Sequence, residues 1–164
     1  METLSLALDR AALIDRYRAG RARTAALFAS IAPAAYYNAP IPLRHPFVFY
    51  DGHLPGFAYM VLHERALHGR PIDPRLELLF ERGIDPSTID LADRHRRDDW
   101  PERADVRRFG AACDAALIDD IAHATLDDPS NPLLVGAEAL FNILEHEEMH
   151  HETLTYIIHR LPAD

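Results

Sequence analysis

Apolar positions recur at helical spacing through most of this chain, and no stretch of alternating β-branched residues interrupts them. Leu6, Leu13, Ile14, Tyr17, Leu27, Phe28 and Ile31 supply a helical apolar pattern that predicts a first helix over residues 5–31. A proline-rich loop over residues 32–43 follows and carries Tyr36 and Tyr37. Pro46 is a good first-turn residue and opens a second helix with Phe47, Phe49, Tyr50, His53, Leu54, Phe57, Met60, Val61 and Leu62, ending near His68 and Gly69. Pro55 falls inside it and is expected to kink it or to remove one backbone bond. Residues 70–99 read as short helical pieces and turns, with pieces at 74–82 and 86–94 separated at Gly83. Trp100-Pro101 starts a long helix over residues 102–124, and residues 127–132 form a turn. A last helix runs through the apolar stretch 133–161 and stops at Leu161-Pro162. Four long helices with irregular helical connections predict an all-α four-helix bundle.

Length and charge narrow the picture. A chain of 164 residues suits a single domain, 1–164, with a sizeable core. A formal charge of −9 argues against nucleic acid as a partner, because a phosphate-reading surface needs a basic excess. Cys113 is the one cysteine and suits a reducing compartment. No segment has the roughly 18 uninterrupted apolar residues of a membrane span. The start Met-Glu-Thr-Leu-Ser lacks the basic and apolar run of a signal peptide. A cytoplasmic location is therefore expected, with no membrane partner. Arg10, Arg16, Arg18, Arg21 and Arg23 crowd the first helix and read as a solvated face paired with Asp9 and Asp15.

The chemistry concentrates near the end of the chain, in His146-Glu-Glu-Met-His150-His151-Glu152. Residues four apart lie about one turn apart on nearly the same face of a helix. His146 and His150 can therefore each direct one nitrogen at a single metal ion, and neutral imidazole is a common ligand for zinc, iron and copper. Two ligands on one helix need a third from a facing helix. His53 is the best candidate: it sits mid-helix in an apolar segment beside Gly52, where an imidazole must be hydrogen-bonded, metal-bound or costly. Glu152 is off the His146/His150 face and reads either as an acceptor for an imidazole on a neighbouring helix or as a surface carboxylate. His45, His63, His68, His95, His123, His151 and His159 read as structural or surface residues. His146-Glu147-x-x-His150 also matches a zinc-protease pattern with Glu147 as general base. Thr153 and Tyr156 stand where the longer form of that motif needs glycine and a third histidine, so a protease is disfavoured.

Taken together, Arg44-His-Pro-Phe-Val-Phe-Tyr-Asp-Gly-His53 and His146-Glu-Glu-Met-His150-His-Glu152 resemble the N-terminal DinB-like domain of the sulfoxide synthases of ergothioneine and ovothiol biosynthesis. The ovothiol-type branch is the closer. Tyr17-Arg-Ala-Gly-Arg-Ala-Arg-Thr24, Phe80-Glu-Arg-Gly-Ile-Asp85 and the Trp100-Pro101 helix start add to the likeness, which spans nearly the whole chain. The resemblance implies a four-helix bundle holding one non-haem Fe(II) through His53, His146 and His150. It also implies O2-dependent joining of a cysteine-type thiol to a histidine-type imidazole, giving a sulfoxide. Enzymes of this family continue into a second domain, similar to formylglycine-generating enzymes, that carries most substrate contacts and a catalytic tyrosine; this sequence stops at Asp164, before any such domain. An incomplete enzyme, half of a split one, and a stand-alone relative are all compatible with that. The competing readings are a DinB-like thiol transferase using zinc or another divalent ion, and a metal-binding structural module without catalysis.

Overall fold

The computed structural model describes residues 8–42, 44–81 and 100–162. Among these, all regular structure is helical. Helix α1 spans Arg10–Ala29, and Asp9 caps it by accepting from the Ala12 amide. It starts later than residue 5, and residues 1–7 lie outside the described residues. Helix α2 spans Phe47–Tyr59 with Pro46 at its N-cap and continues without a break into a π-helical segment, Met60–Ala66. Pro55 stays within α2, where it removes one backbone donor without ending the helix. Helix α3, Pro74–Phe80, is capped by the Asp73 carboxylate. The expected piece at 86–94 lies outside the described residues. Helix α4 spans Arg103–His123, close to its expected limits.

The last helix, α5, spans Glu138–Ile158 and begins five residues later than the apolar pattern implied. Gly136 (φ 62°) and Ala137 (φ 60°) both adopt left-handed backbone, which no helix can pass through. The preceding apolar residues therefore belong to a turn and a single 3₁₀ turn, Val135–Ala137.

Side-chain pairings give the helix directions. Tyr17 and Arg21 meet Asp114, while Arg10 reaches the far end of α4, so α1 and α4 are antiparallel. Arg16 meets Glu145 and Thr24 meets Glu147, so α1 and α5 run the same way. Pro55 lies beside Gly110 and His63 pairs with Asp120, so α2 and α4 are parallel. Each long helix has two neighbours, with α2 packed on α4 and α5, and α1 on α4 and α5. The result is a closed four-helix bundle.

Helix α2 is apolar on every side and nearly all of it is buried, as expected of a helix covered by α3, α4 and α5. Its Phe47, Phe49, Tyr50 and Leu54 join Leu117 and Ile121 of α4 and Leu140, Ile143 and Ile157 of α5 in one core.

Arg16, Arg18 and Arg23 of α1 are exposed, as expected of a solvated face, but Arg10 and Arg21 are partly buried and the acidic partners lie on other helices rather than at Asp9 and Asp15. Arg10 donates to the Ile121 and Ala124 carbonyls, at 2.6 and 2.7 Å, closing the C-terminal end of α4. Arg16 and Arg23 pair with Glu145 and Glu148 of α5. Arg21 is largely buried between Asp114 of α4 (2.9 Å) and Glu147 of α5 (3.0 Å). The partners lie on other helices because those helices present carboxylates at the same height, which sequence spacing along α1 does not reveal. Arg18 is exposed. No described helix is long and apolar enough to cross a membrane.

Candidate metal centre

The antiparallel packing of α2 on α5 brings His53, His146 and His150 together. One ring nitrogen of each lies within 4.8 Å of the other two, and no other such group of three His, Cys, Asp or Glu side chains is found among the described residues. His53 and His150 are buried and His146 is half-buried. The spacing of four on α5 stacks the His146 and His150 side chains one turn apart, with their Nε2 atoms 3.1 Å apart. Two ligands at right angles on an ion with bonds of about 2.1 Å would lie about 3.0 Å apart, so the pair is already close to ligating separation.

Aromatic rings hold these imidazoles in place. Phe57 stacks on His146 at 3.6 Å between centroids and Phe49 on His53 at 4.7 Å. Tyr50 meets the His150 ring edge-on at 5.7 Å. His53 Nδ1 lies 2.7 Å from the Phe80 carbonyl oxygen. A carbonyl only accepts, so Nδ1 carries the proton and donates, and Nε2 keeps its lone pair. That Nε2 is buried and has no hydrogen-bond partner. A buried acceptor facing two other imidazoles has an evident use as a metal ligand, and the donor set of three neutral nitrogens fits a divalent first-row ion.

The electrostatics agree. Burial, with His150 and His53 nearby, pushes the His146 pKa down to about 2. Burial, then His53 and His151, pushes His150 down to about 3. Burial also lowers His53, opposed by its bond to the Phe80 carbonyl. All three are therefore neutral near pH 7, the state in which imidazole binds a metal.

The nearby carboxylates are committed elsewhere. Asp51 accepts from the Tyr36 hydroxyl at 2.7 Å. Glu147 is one residue on from His146 and turns toward α1, where its Oε1 accepts from Arg21 and Thr24. Glu147 thus lies on the wrong face of α5 to act as base beside the histidine pair, which removes the protease reading. No fourth protein ligand joins the three histidines among the described residues. Glu152 is exposed on α5. The position expected of it, acceptor to an imidazole on the facing helix, is taken for His53 by the Phe80 carbonyl.

The other histidines have separate surroundings. His63 pairs with Asp120 and stacks on Tyr59, His123 pairs with Asp119, and His159 contacts the Thr155 carbonyl. His151 meets Thr24 at 2.9 Å on the α1 side. His45 is buried beside Phe49, and His68 has left-handed backbone. His95 lies outside the described residues. Sequence reasoning missed the Phe80 carbonyl and the partners of Glu147. Gly52, beside His53 inside a helix, was the available signal for the first.

Two curated relatives are similar to this chain. Ergothioneine biosynthesis protein 1 of Neurospora crassa is 32% identical over 123 residues, which is 73% of this chain and 14% of that protein. The protein of the same name from Schizosaccharomyces pombe is 31% identical over 126 residues, 74% of this chain and 16% of its own length. The chain thus corresponds to about one sixth or less of the length of those relatives. The DinB superfamily profile matches residues 16–154, which covers all of α2, most of α5 and all three clustered histidines. By that match this helix bundle belongs to the DinB superfamily.

Proposed function

We propose that this chain is the non-haem Fe(II)-binding domain of a sulfoxide synthase, which joins a cysteine-type thiol to a histidine derivative using O2. The observation that carries the reading is the convergence of His53, His146 and His150, on a chain similar to proteins named for ergothioneine biosynthesis. The reaction balances without a further reductant. The thiol gives up S–H, the imidazole gives up C–H, and a C–S bond forms. One oxygen atom of O2 becomes the sulfoxide oxygen and the other leaves as water with the two hydrogens.

The residues divide this work simply. His53, His146 and His150 would hold the ion from one side of the bundle. Fe(II), when bound, supplies vacant coordination positions and the redox couple that O2 chemistry requires. Phe49, Tyr50 and Phe57 line the histidines with apolar surface and fix their rings. His146 and Phe57 are half-buried, so small molecules would reach the ion from their side. Absence of a fourth ligand among the described residues supports an open site over a closed structural one.

A second reading, a divalent-metal-dependent thiol transferase, is favoured by the all-nitrogen donor set, which suits zinc as well. The two differ in metal and in O2 consumption. The test is oxygen uptake and product analysis for Fe(II)-loaded chain with a cysteine-type thiol and either histidine or its betaine. It is run with and without a supplied formylglycine-generating-enzyme-like domain. Orientation of two substrates can account for ~7–11 kcal/mol of a barrier, and in the resembled family most such contacts lie in that second domain. The expected result is Fe(II) binding with little sulfoxide from the chain alone and oxygen uptake on adding the domain. Zinc-supported thiol transfer without oxygen uptake would establish the second reading instead.

A further inference from the structure

Phe80 docks in a notch on α2. Gly52 and Gly56 are one turn apart and share a face; the Phe80 ring lies against Gly52, whereas Gly56 faces the Phe109 ring and meets Phe80 only through its Cβ. A Cβ at Gly52 would collide with three atoms of the Phe80 ring. The ring cannot simply swing aside, because it is 1% exposed and stacks on Phe109 of α4 at 5.9 Å. The same residue's carbonyl lies 2.7 Å from His53 Nδ1. His53 immediately follows Gly52, so the notch and the histidine share one turn of α2.

We infer that the notch at Gly52 is a positioning device for the metal site: by seating Phe80 it sets the Phe80 carbonyl against His53 Nδ1 and so selects the tautomer that presents Nε2 to the ion. Three features support this. The backbone carbonyl cannot donate, so it admits only the Nδ1–H form of His53. The opposite ring nitrogen is buried, unpartnered, and directed toward His146 and His150. A glycine within a helix is unfavourable unless close approach needs it, and here the space is filled by Phe80. A hydrogen bond on the outer nitrogen also raises the basicity of the ligating one. Gly52 and Phe80 thus act through His53 and touch no substrate.

The inference rests on the metal-site reading of the three histidines but not on iron or oxygen chemistry. Its test uses the full chain and Co(II) as the probe. ¹⁵N NMR of histidine-labelled, metal-free wild type should show His53 protonated at Nδ1 and unprotonated at Nε2. Gly52→Ala should keep its helical circular dichroism, lose the single His53 tautomer, and bind Co(II) ~10–100-fold more weakly. Adding Phe80→Leu to that variant makes room for the new methyl and should recover much of the affinity. Co(II) affinity within twofold of wild type in a folded Gly52→Ala protein, with the Nδ1–H tautomer intact, would overturn the inference. If Gly52→Ala does not fold, the wild-type spectrum still decides: an Nε2–H tautomer at His53 overturns it. Failure of wild type to bind any metal, with the Nδ1–H tautomer present, would count against the proposed function and leave the positioning contact standing.

Discussion

His146 Nε2 and His150 Nε2 face each other across one turn of α5 at 3.1 Å, with both rings neutral. In the metal-free protein one of them must donate its proton to the other. A bound cation would displace that proton and use both lone pairs. On the proposed metal-site reading the pair would exchange a hydrogen bond for two coordinate bonds, and His53 would complete the set.

Replacing any one of the three should remove tight metal binding. His146→Ala, His150→Ala and His53→Ala should each lower Fe(II) or Co(II) affinity by at least ~100-fold, since two imidazoles alone make a weak site. Metal titrations followed by absorbance or calorimetry test this. His63→Ala and His123→Ala, whose partners are Asp120 and Asp119, should bind metal as the wild type does.

Acid should destabilise the metal-free protein through these rings. An unfolded histidine takes up its proton near 6.5, whereas folded His146 and His150 do so only near 2 and 3. Between those limits the unfolded state holds more protons, so stability falls as pH drops below about 6.5. Urea midpoints measured at about pH 7.5 and about pH 5 should show a loss in the wild type and a smaller loss in His146→Gln. The carboxylates titrate in both proteins, so the difference isolates the ring. Equal losses would contradict the neutral, buried state.

The Arg21 guanidinium holds two carboxylates from two helices, Asp114 and Glu147. Arg21→Ala would leave both without their cation. The expected cost is on the order of 3 kcal/mol, because truncating one partner strands the other charges in a poorly hydrated interface. For a protein of this size that corresponds to a melting temperature lower by about 6–12 °C. Metal stoichiometry should remain one, since Arg21 lies on the α1 side of α5. Scanning calorimetry with a parallel metal titration separates the two effects.

Gly136 adopts φ 62°, and a Cβ there would meet nothing within 4 Å. Gly136→Ala should therefore cost about 1 kcal/mol from backbone strain alone. Chemical denaturation measures it, and a neutral result would mean that the turn before α5 relaxes.

Much of this was legible in the sequence. The period of apolar residues located α1, α2, α4 and α5, because a bundle core imposes that period. The His146/His150 spacing marked one half of the cluster, and the apolar setting of His53 marked the other. What the sequence hid depends on tertiary contact. Arg16, Arg21 and Arg23 of α1 bind carboxylates on α4 and α5, which no spacing along α1 encodes. The start of α5 was misplaced because apolar residues 133–135 continue the pattern through a turn formed at Gly136 and Ala137. The acceptor for His53 is a backbone carbonyl, a group every residue possesses, so only Gly52 beside it pointed there.

The central claim is that three imidazoles from two helices bind one open divalent ion. X-ray absorption at the iron edge of the Fe(II)-loaded chain tests it most directly. The account predicts one iron per chain with three imidazole nitrogens at about 2.0–2.2 Å and the remaining positions filled by water-type oxygen. Those oxygen positions should change when a thiol is added, with a sulfur neighbour appearing. Fewer than three imidazoles, or a site closed by a fourth protein ligand and unaffected by thiol, would contradict it.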